Sequence, residues 1–232
     1  MAAESTSTPQ SRRERPSKPA LTREGIIDTA LKILEDEGIG KVTMRRIATA
    51  LDTGPASLYV YVHDTEDLHA QLLDALLGRM APVPGRGPWR KRLHAVLSGY
   101  AGVLFAYPEI ARMTVTTHPS GPHYASLVEA ILGLLSESGA SDEVAAWGVD
   151  LLLASVTATA VEHGSGQPHG EGTEALAALA ANIAALSEER YPRTVRLVDQ
   201  MLSGTAEERF EWGMDVLING ILNTPRPSSV ND

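Results

Sequence analysis

Apolar residues recur along the chain at the three- and four-residue spacing of amphipathic helices, and runs of strict alternation are missing. Ile26, Ile27, Ala30, Leu31 and Leu34 form the first stripe. Thr22 stands where an N-cap belongs, Leu21 can staple onto Ile26, and Gly38 closes the helix. Thr43 caps a shorter second helix, Met44 to Leu51, whose Ile47, Ala48 and Leu51 face inward. Asp52-Thr53-Gly54 reads as a turn. Pro55 then opens a third helix to Val62, at the position where its missing N–H has no helical partner. Asp64 caps a fourth helix, with Asp67 at the capping-box position, running to about Met80.

The segment Ala81-Pro82-Val83-Pro84-Gly85-Arg86-Gly87-Pro88 suits neither helix nor strand and marks a joint. Beyond it the pattern predicts helices over Trp89–Tyr107, Glu109–Thr117, His123–Ser138, Asp142–His163, Thr173–Arg190, Thr194–Leu202 and Ala206–Leu222. The expected fold class is therefore all-α. Four regions are expected: a disordered arm over 1–20, a head over 21–80 with a helix-turn-helix at about 43–62, a larger helical domain over 81–224, and a short tail over 225–232. The arm is rich in Ser, Thr, Pro and Arg and offers little to bury.

Composition narrows the function. The 232 residues include no Cys, which excludes thiolate catalysis, Cys-ligated zinc and thiol redox sensing. No run approaches the roughly 18 apolar residues of a membrane helix, and the first 19 residues lack the apolar core of a signal peptide. The expectation is a soluble, cytoplasmic protein. No phosphate-binding glycine loop or nucleophile elbow appears, so no enzyme activity and no cofactor are expected. The net charge of −9 looks unfavourable for a nucleic-acid partner, but its distribution reverses that impression. Residues 1–65 carry nine basic and nine acidic side chains; the remaining 11 basic and 20 acidic ones account for the whole net charge. Arg12, Arg13, Arg15 and Lys18 cluster in the arm, so a polyanion would be touched at one end only.

In a helix-turn-helix the first helix crosses the DNA backbone and the second enters the major groove. Ala48 is small where the two helices must approach, and Ile47, Leu51, Leu58 and Val62 can hold them on the first helix of the head. That leaves Thr43, Arg45 and Arg46, then Pro55, Ala56, Ser57, Tyr59, Val60 and Tyr61, and finally His63 and Thr65, as candidates for phosphates and base edges. A plain helical bundle with solvated polar positions has the same spacing, so spacing alone leaves both readings open.

The residues themselves go further. Leu21 to Met80 resembles the tetracycline-repressor (TetR) family of bacterial regulators. The likeness is carried by Ile26-Ile27-Asp28-Thr29-Ala30-Leu31, Gly38, Val42-Thr43-Met44-Arg45-Arg46-Ile47-Ala48, Gly54-Pro55-Ala56-Ser57-Leu58-Tyr59-Val60-Tyr61-Val62, and Asp64 with Leu68. It implies a homodimer on a palindromic double-stranded DNA operator, a small-molecule pocket in the C-terminal domain, and a dimer interface built from the helices at about 142–163 and 206–222. Two positions depart from the family. Asp52 stands where Gly is usual and must accept the strained turn geometry. Thr65 replaces the usual phosphate-gripping Lys, which shifts weight to the basic arm.

Tyr100, Phe105, Tyr107, Met113, Trp147, Ser155 and Thr159 are the pocket candidates, although apolar residues at helical spacing are more often core; Ser155, Thr157 and Thr159 could face a pocket or bond back to their own helix. His163 and His169, and His118 and His123, lack metal-site spacing and a completing carboxylate, so no metal is expected. Two alternatives remain: a regulator of this fold with no small-molecule inducer, constitutive or controlled by a protein, and a ligand-binding protein whose head grips DNA weakly.

Overall fold

The computed structural model describes residues 20–115, 119–163 and 171–227, and among them there are eleven α-helices and no strand. Arg12, Arg13, Arg15 and Lys18 of the arm, with His118 and His169, lie outside the described residues. Backbone contacts divide the chain into two compact units, 1–62 and 63–232.

The first unit holds α1 (Arg23–Glu37), a one-turn 3-10 helix (Ile39–Lys41), α2 (Met44–Ala50) and α3 (Pro55–Leu58). The expected caps are in place. The Thr22 hydroxyl accepts from the Gly25 N–H at 3.1 Å, and the Thr43 hydroxyl from the Arg46 N–H at 3.1 Å. Ile26, Ala30, Leu31, Ile47, Ala48, Leu58 and Val62 are buried together with Val42 and Met44 as the small core. The third helix is shorter than its pattern suggests. Regular α-helix stops at Leu58, and the N–H groups of Tyr61 and Val62 both return to the Leu58 carbonyl, at 2.9 and 3.0 Å. Two valines and two tyrosines crowd this last turn, and such side chains lose rotamer freedom in a regular helix.

The second unit comprises α4 (Thr65–Leu77), α5 (Trp89–Ala106), α6 (Pro108–Thr114), α7 (Pro122–Glu137), α8 (Asp142–His163), α9 (Glu171–Ala184), α10 (Pro192–Leu202) and α11 (Ala206–Asn223). The break between units falls at Val62, ahead of the 81–88 joint, because α4 packs on α5, α6 and α7 and buries Leu68, Leu72, Leu73, Leu76 and Leu77. It ends three residues before Met80: Gly78 follows, and the N–H groups of Arg79 and Met80 tighten onto carbonyls three residues back. Likewise α9 gives way to a turn before Arg190.

The centre of this unit is α8, which packs against α5, α6, α7 and α11. Its composition corrects the expectation that no segment reaches membrane-span length. Asp142–Glu162 is long and apolar enough to do so, yet it serves here as the central helix of a bundle. Buried Ala145, Leu152, Val156 and Ala160 explain its apolar character. Gly148 sits where α8 meets α11: a Cβ there would stand 3.0 Å from an Ile221 methyl. Polar ties complete the packing. Arg90 donates to Asp215 and Asn219 at 2.9 and 2.7 Å, joining α5 to α11. Arg92 joins the 81–88 segment to α7 through the Pro84 carbonyl at 2.7 Å and the Glu137 carboxylate.

Candidate nucleic-acid interface and effector cavity

The turn between α2 and α3 sets the exposed surface of the first unit. Thr53 N–H returns to the Ala48 carbonyl at 2.9 Å and Asp52 N–H to the Thr49 carbonyl at 3.1 Å, a Schellman closure. The residue at its left-handed position is Asp52, with φ of 50°. It is the one non-glycine residue with positive φ among those described, so Asp does adopt the geometry for which glycine is favoured.

Beyond this turn Pro55, Ala56 and Ser57 are exposed on α3, followed by Tyr59 at 52% and Val60 at 78% exposure. Thr43 and Arg45 are exposed at the start of α2. An aromatic ring and an aliphatic side chain held out from so small a unit, beside hydroxyls and a guanidinium, match the chemistry of a major groove, where thymine methyls sit beside base-edge acceptors.

Two candidates have other engagements. Tyr61 is half-buried, and its hydroxyl donates to the Leu21 carbonyl at 2.8 Å, tying the end of the motif to the chain just before α1. Arg46 forms a two-point pair with Glu37, at 3.1 and 2.5 Å, fixing α2 to the end of α1. That hydrogen bond holds the Glu37 carboxyl below its usual range. Sequence spacing placed both residues towards the outside; their partners lie in α1 or before it, which spacing within the motif does not reveal.

His63 and Thr65 belong to the start of α4. The Asp64 carboxylate accepts from the Asp67 N–H at 2.8 Å, and Asp67 accepts from the His63 backbone N–H at 2.8 Å and contacts its ring at 3.1 Å. Burial pushes the Asp67 carboxyl up, but hydrogen bonds from Gln71 and His63 outweigh it and hold the group below its ordinary value. Thr65 is exposed in the first turn.

In the second unit a cavity of about 270 Å³ opens among α5, α6, α7 and α8, lined by Tyr100, Tyr124, Asp150, Leu153, Ala154 and Thr157, among others. Tyr100 is 2% exposed and shares a 3.0 Å hydrogen bond with Thr157. Burial pushes its phenol up to about 12 despite that bond, so it enters the site as a neutral hydroxyl. Burial also raises Tyr124, with the Asp150 carboxylate adding to the shift. Phe105 and Thr159 instead line a separate opening of about 730 Å³ among α5, α8 and α11. Met113 borders a small cleft beside His69. Tyr107 caps α6, and Ser155 offers its carbonyl to the Thr159 hydroxyl at 2.9 Å. Trp147 belongs to neither cavity. It is 55% exposed on an apolar trough between α8 and α11, with Arg226 stacked 4.2 Å from its ring centroid. Tyr124 and Asp150 were missed from sequence. A lone carboxylate at the middle of an apolar helix was the available signal for Asp150. Among the described residues no group of three His, Cys, Asp or Glu is placed to hold a metal ion.

Residues 26–72 match the family of bacterial regulatory proteins designated tetR, and residues 81–224 match the tetracyclin repressor-like C-terminal domain. A Streptomyces coelicolor transcription regulator of known structure is 45% identical, covering 92% of this chain and all of that one, with a TM-score of 0.77. The Streptomyces coelicolor TetR family protein ActR, in complex with actinorhodin, is 33% identical over 88% of this chain and 96% of its own, with a TM-score of 0.78. An HTH-type transcriptional regulator of Saccharopolyspora erythraea is 29% identical over 124 residues, and the chain spans about half the length of that relative, 52%.

Proposed function

Because the chain belongs to the TetR family of bacterial transcriptional regulators, we propose that it is a homodimeric repressor that holds a palindromic operator and releases it when a small molecule binds. The observation that carries this reading is the surface of α2 and α3. Arg45, Ser57, Tyr59 and Val60 stand exposed on a unit whose other large apolar side chains are buried or half-buried. Tyr59, Val60 and Ser57 read base edges; Arg45 and Thr43 meet the backbone or a base beside them. Tyr61 and Arg46 shape this surface from behind. The arm residues Arg12, Arg13, Arg15 and Lys18 add phosphate or minor-groove contacts.

The effector site is the Tyr100 cavity. Its lining combines apolar walls with four hydroxyls and one carboxylate, the pattern of a small-molecule site with a few orienting polar groups. ActR, a relative, holds actinorhodin, which supports a ligand-controlled reading for this chain. The apolar trough of α8 and α11, with Trp147, Leu151 and Val216 exposed, is the surface on which a second copy packs.

The test is selection of a binding sequence from random duplex DNA, followed by titration against salt. The expected outcome is a palindrome whose half-sites lie about one helical turn, roughly 34–36 Å, apart, bound with steep salt dependence. Arg45→Ala and Tyr59→Ala should each weaken it by roughly 1–3 kcal/mol, or about tenfold and more. Failure to select any sequence would remove the DNA-binding reading.

A further inference from the structure

We propose that Asp74 and the backbone of Tyr124 form the connection through which occupancy of the Tyr100 cavity reaches α4. The inference rests on the ligand-controlled reading above and names the route by which that site acts.

Asp74 lies one turn before the end of α4. Its carboxylate accepts the Tyr124 N–H at 2.8 Å. That N–H belongs to the first turn of α7, where backbone donors lack helical partners and negative charge is favoured. Asp74 thus caps a helix other than its own. Gly121, with φ of 151°, makes the approach possible, because a Cβ at that position would collide with the Asp74 carboxylate. Four residues on, at the C-cap of α4, the His123 ring covers Gly78, where a Cβ would stand 2.8 Å from a ring atom. The first turn of α7 is therefore fitted to the last turn of α4 at two successive residues.

The next step lies on the same residue. Tyr124, whose N–H is held by α4, turns its side chain into the wall of the Tyr100 cavity, opposite Thr157 and Asp150 of α8. A ligand that displaces the Tyr124 side chain moves the first turn of α7, and the Asp74 hydrogen bond carries α4 with it. The N-terminus of α4 follows Val62, the last residue of the DNA-reading motif, after only His63 and Asp64. Asp74 is a positioning residue in this scheme. The competing route runs through α6, whose Thr114, with Val115 just beyond it, also lines the cavity and which packs on α4 without using Asp74.

A double-mutant cycle separates the routes without a known ligand. The probe is the duplex selected by the wild-type protein, and Ala154→Trp fills the cavity from α8 in place of a ligand. In the wild-type background Ala154→Trp should weaken operator binding about fivefold or more, the lower end of ordinary allosteric coupling. In the Asp74→Ala background the same filling should change it by less than about twofold, and Asp74→Asn, which keeps an acceptor oxygen, should restore the larger effect. Gly121→Ala, which disrupts the same contact from the other side, should behave as Asp74→Ala and serves if that variant does not fold. Thermal midpoints and sedimentation of each variant exclude misfolding as the source. Equal losses in the wild-type and Asp74→Ala backgrounds, or no loss on filling the wild-type cavity, would overturn the proposal while leaving operator binding intact. Absence of any selected operator would instead remove the regulator reading, and the proposal with it.

Discussion

The hydroxyl of Tyr61 donates to the carbonyl of Leu21 at 2.8 Å, across 40 residues of sequence. The bond closes the first unit, because it joins the segment entering α1 to the turn that follows α3. Its place in the motif also makes Tyr61 a candidate for base contact. Tyr61→Phe keeps the ring and removes the bond, so it should cost about 0.5–1.5 kcal/mol of stability in denaturant unfolding. Operator affinity at saturating fold should change less than with Tyr59→Ala. A larger affinity loss for Tyr61→Phe than for Tyr59→Ala would place the Tyr61 hydroxyl on the DNA after all.

Asp52 occupies a left-handed position at φ of 50°. A β-branched residue is costly there, so Asp52→Val should lower stability by about 1–2 kcal/mol. Asp52→Gly relieves the strain and should be neutral or stabilising by up to about 1 kcal/mol. Denaturant midpoints would check both, and an Asp52→Val protein as stable as wild type would show that the turn relaxes out of this geometry.

The start of α4 has an acid-sensitive link. Asp67 has its carboxyl held below the ordinary value of 3.8. A folded-state value below the unfolded one stabilises the fold fully above the unfolded value, and the contribution is lost as pH falls through the lower, folded one. Asp67→Asn should therefore flatten the decline of the thermal midpoint below about pH 4. The Asp67 side chain is half-buried but its partner His63 is exposed, and solvent screening of such a pair keeps the effect under about 1 kcal/mol. A variant with an unchanged acid profile would show that other carboxylates carry the slope.

Element type was legible in the sequence because capping and apolar periodicity agreed. Thr22, Thr43 and Asp64 each accept the N–H three residues on, as their positions imply. Helix ends were less legible. α3 stops at Leu58 because its last turn is tightened by side chains that also serve the surface and the core. The sites divide in the same way. Exposure of Tyr59 and Val60 followed from the helical face opposite Leu58 and Val62. The engagement of Tyr61 with Leu21, Arg46 with Glu37, and Tyr124 with Asp74 could not be read, since each partner sits on a distant segment that local spacing cannot bring near. Trp147 shows the converse difficulty. An aromatic on a helix apolar all round is pocket, core or interface by pattern alone, and packing places it on the outer face.

Trp147 and Leu151 on α8, with Val216 on α11, are 55%, 46% and 48% exposed around one apolar trough. Apolar surface left in water costs about 25 cal/mol per Å², and a patch on two adjacent helices is the usual mark of a partner surface. If the proposed dimer packs through this patch, its two-fold axis makes the patch self-complementary, so each substitution is introduced twice, close to its own copy. Leu151→Glu therefore sets carboxylates against apolar surface and, near the axis, against each other. Being exposed, the side chain adds little to the fold of one chain. The expected result is a shift from dimer to monomer in sedimentation at micromolar concentration, with helical circular dichroism retained. Operator affinity should fall along with it, because a single head fills only one half-site. A Leu151→Glu protein that stays dimeric and binds operator like wild type would move the interface away from α8 and α11.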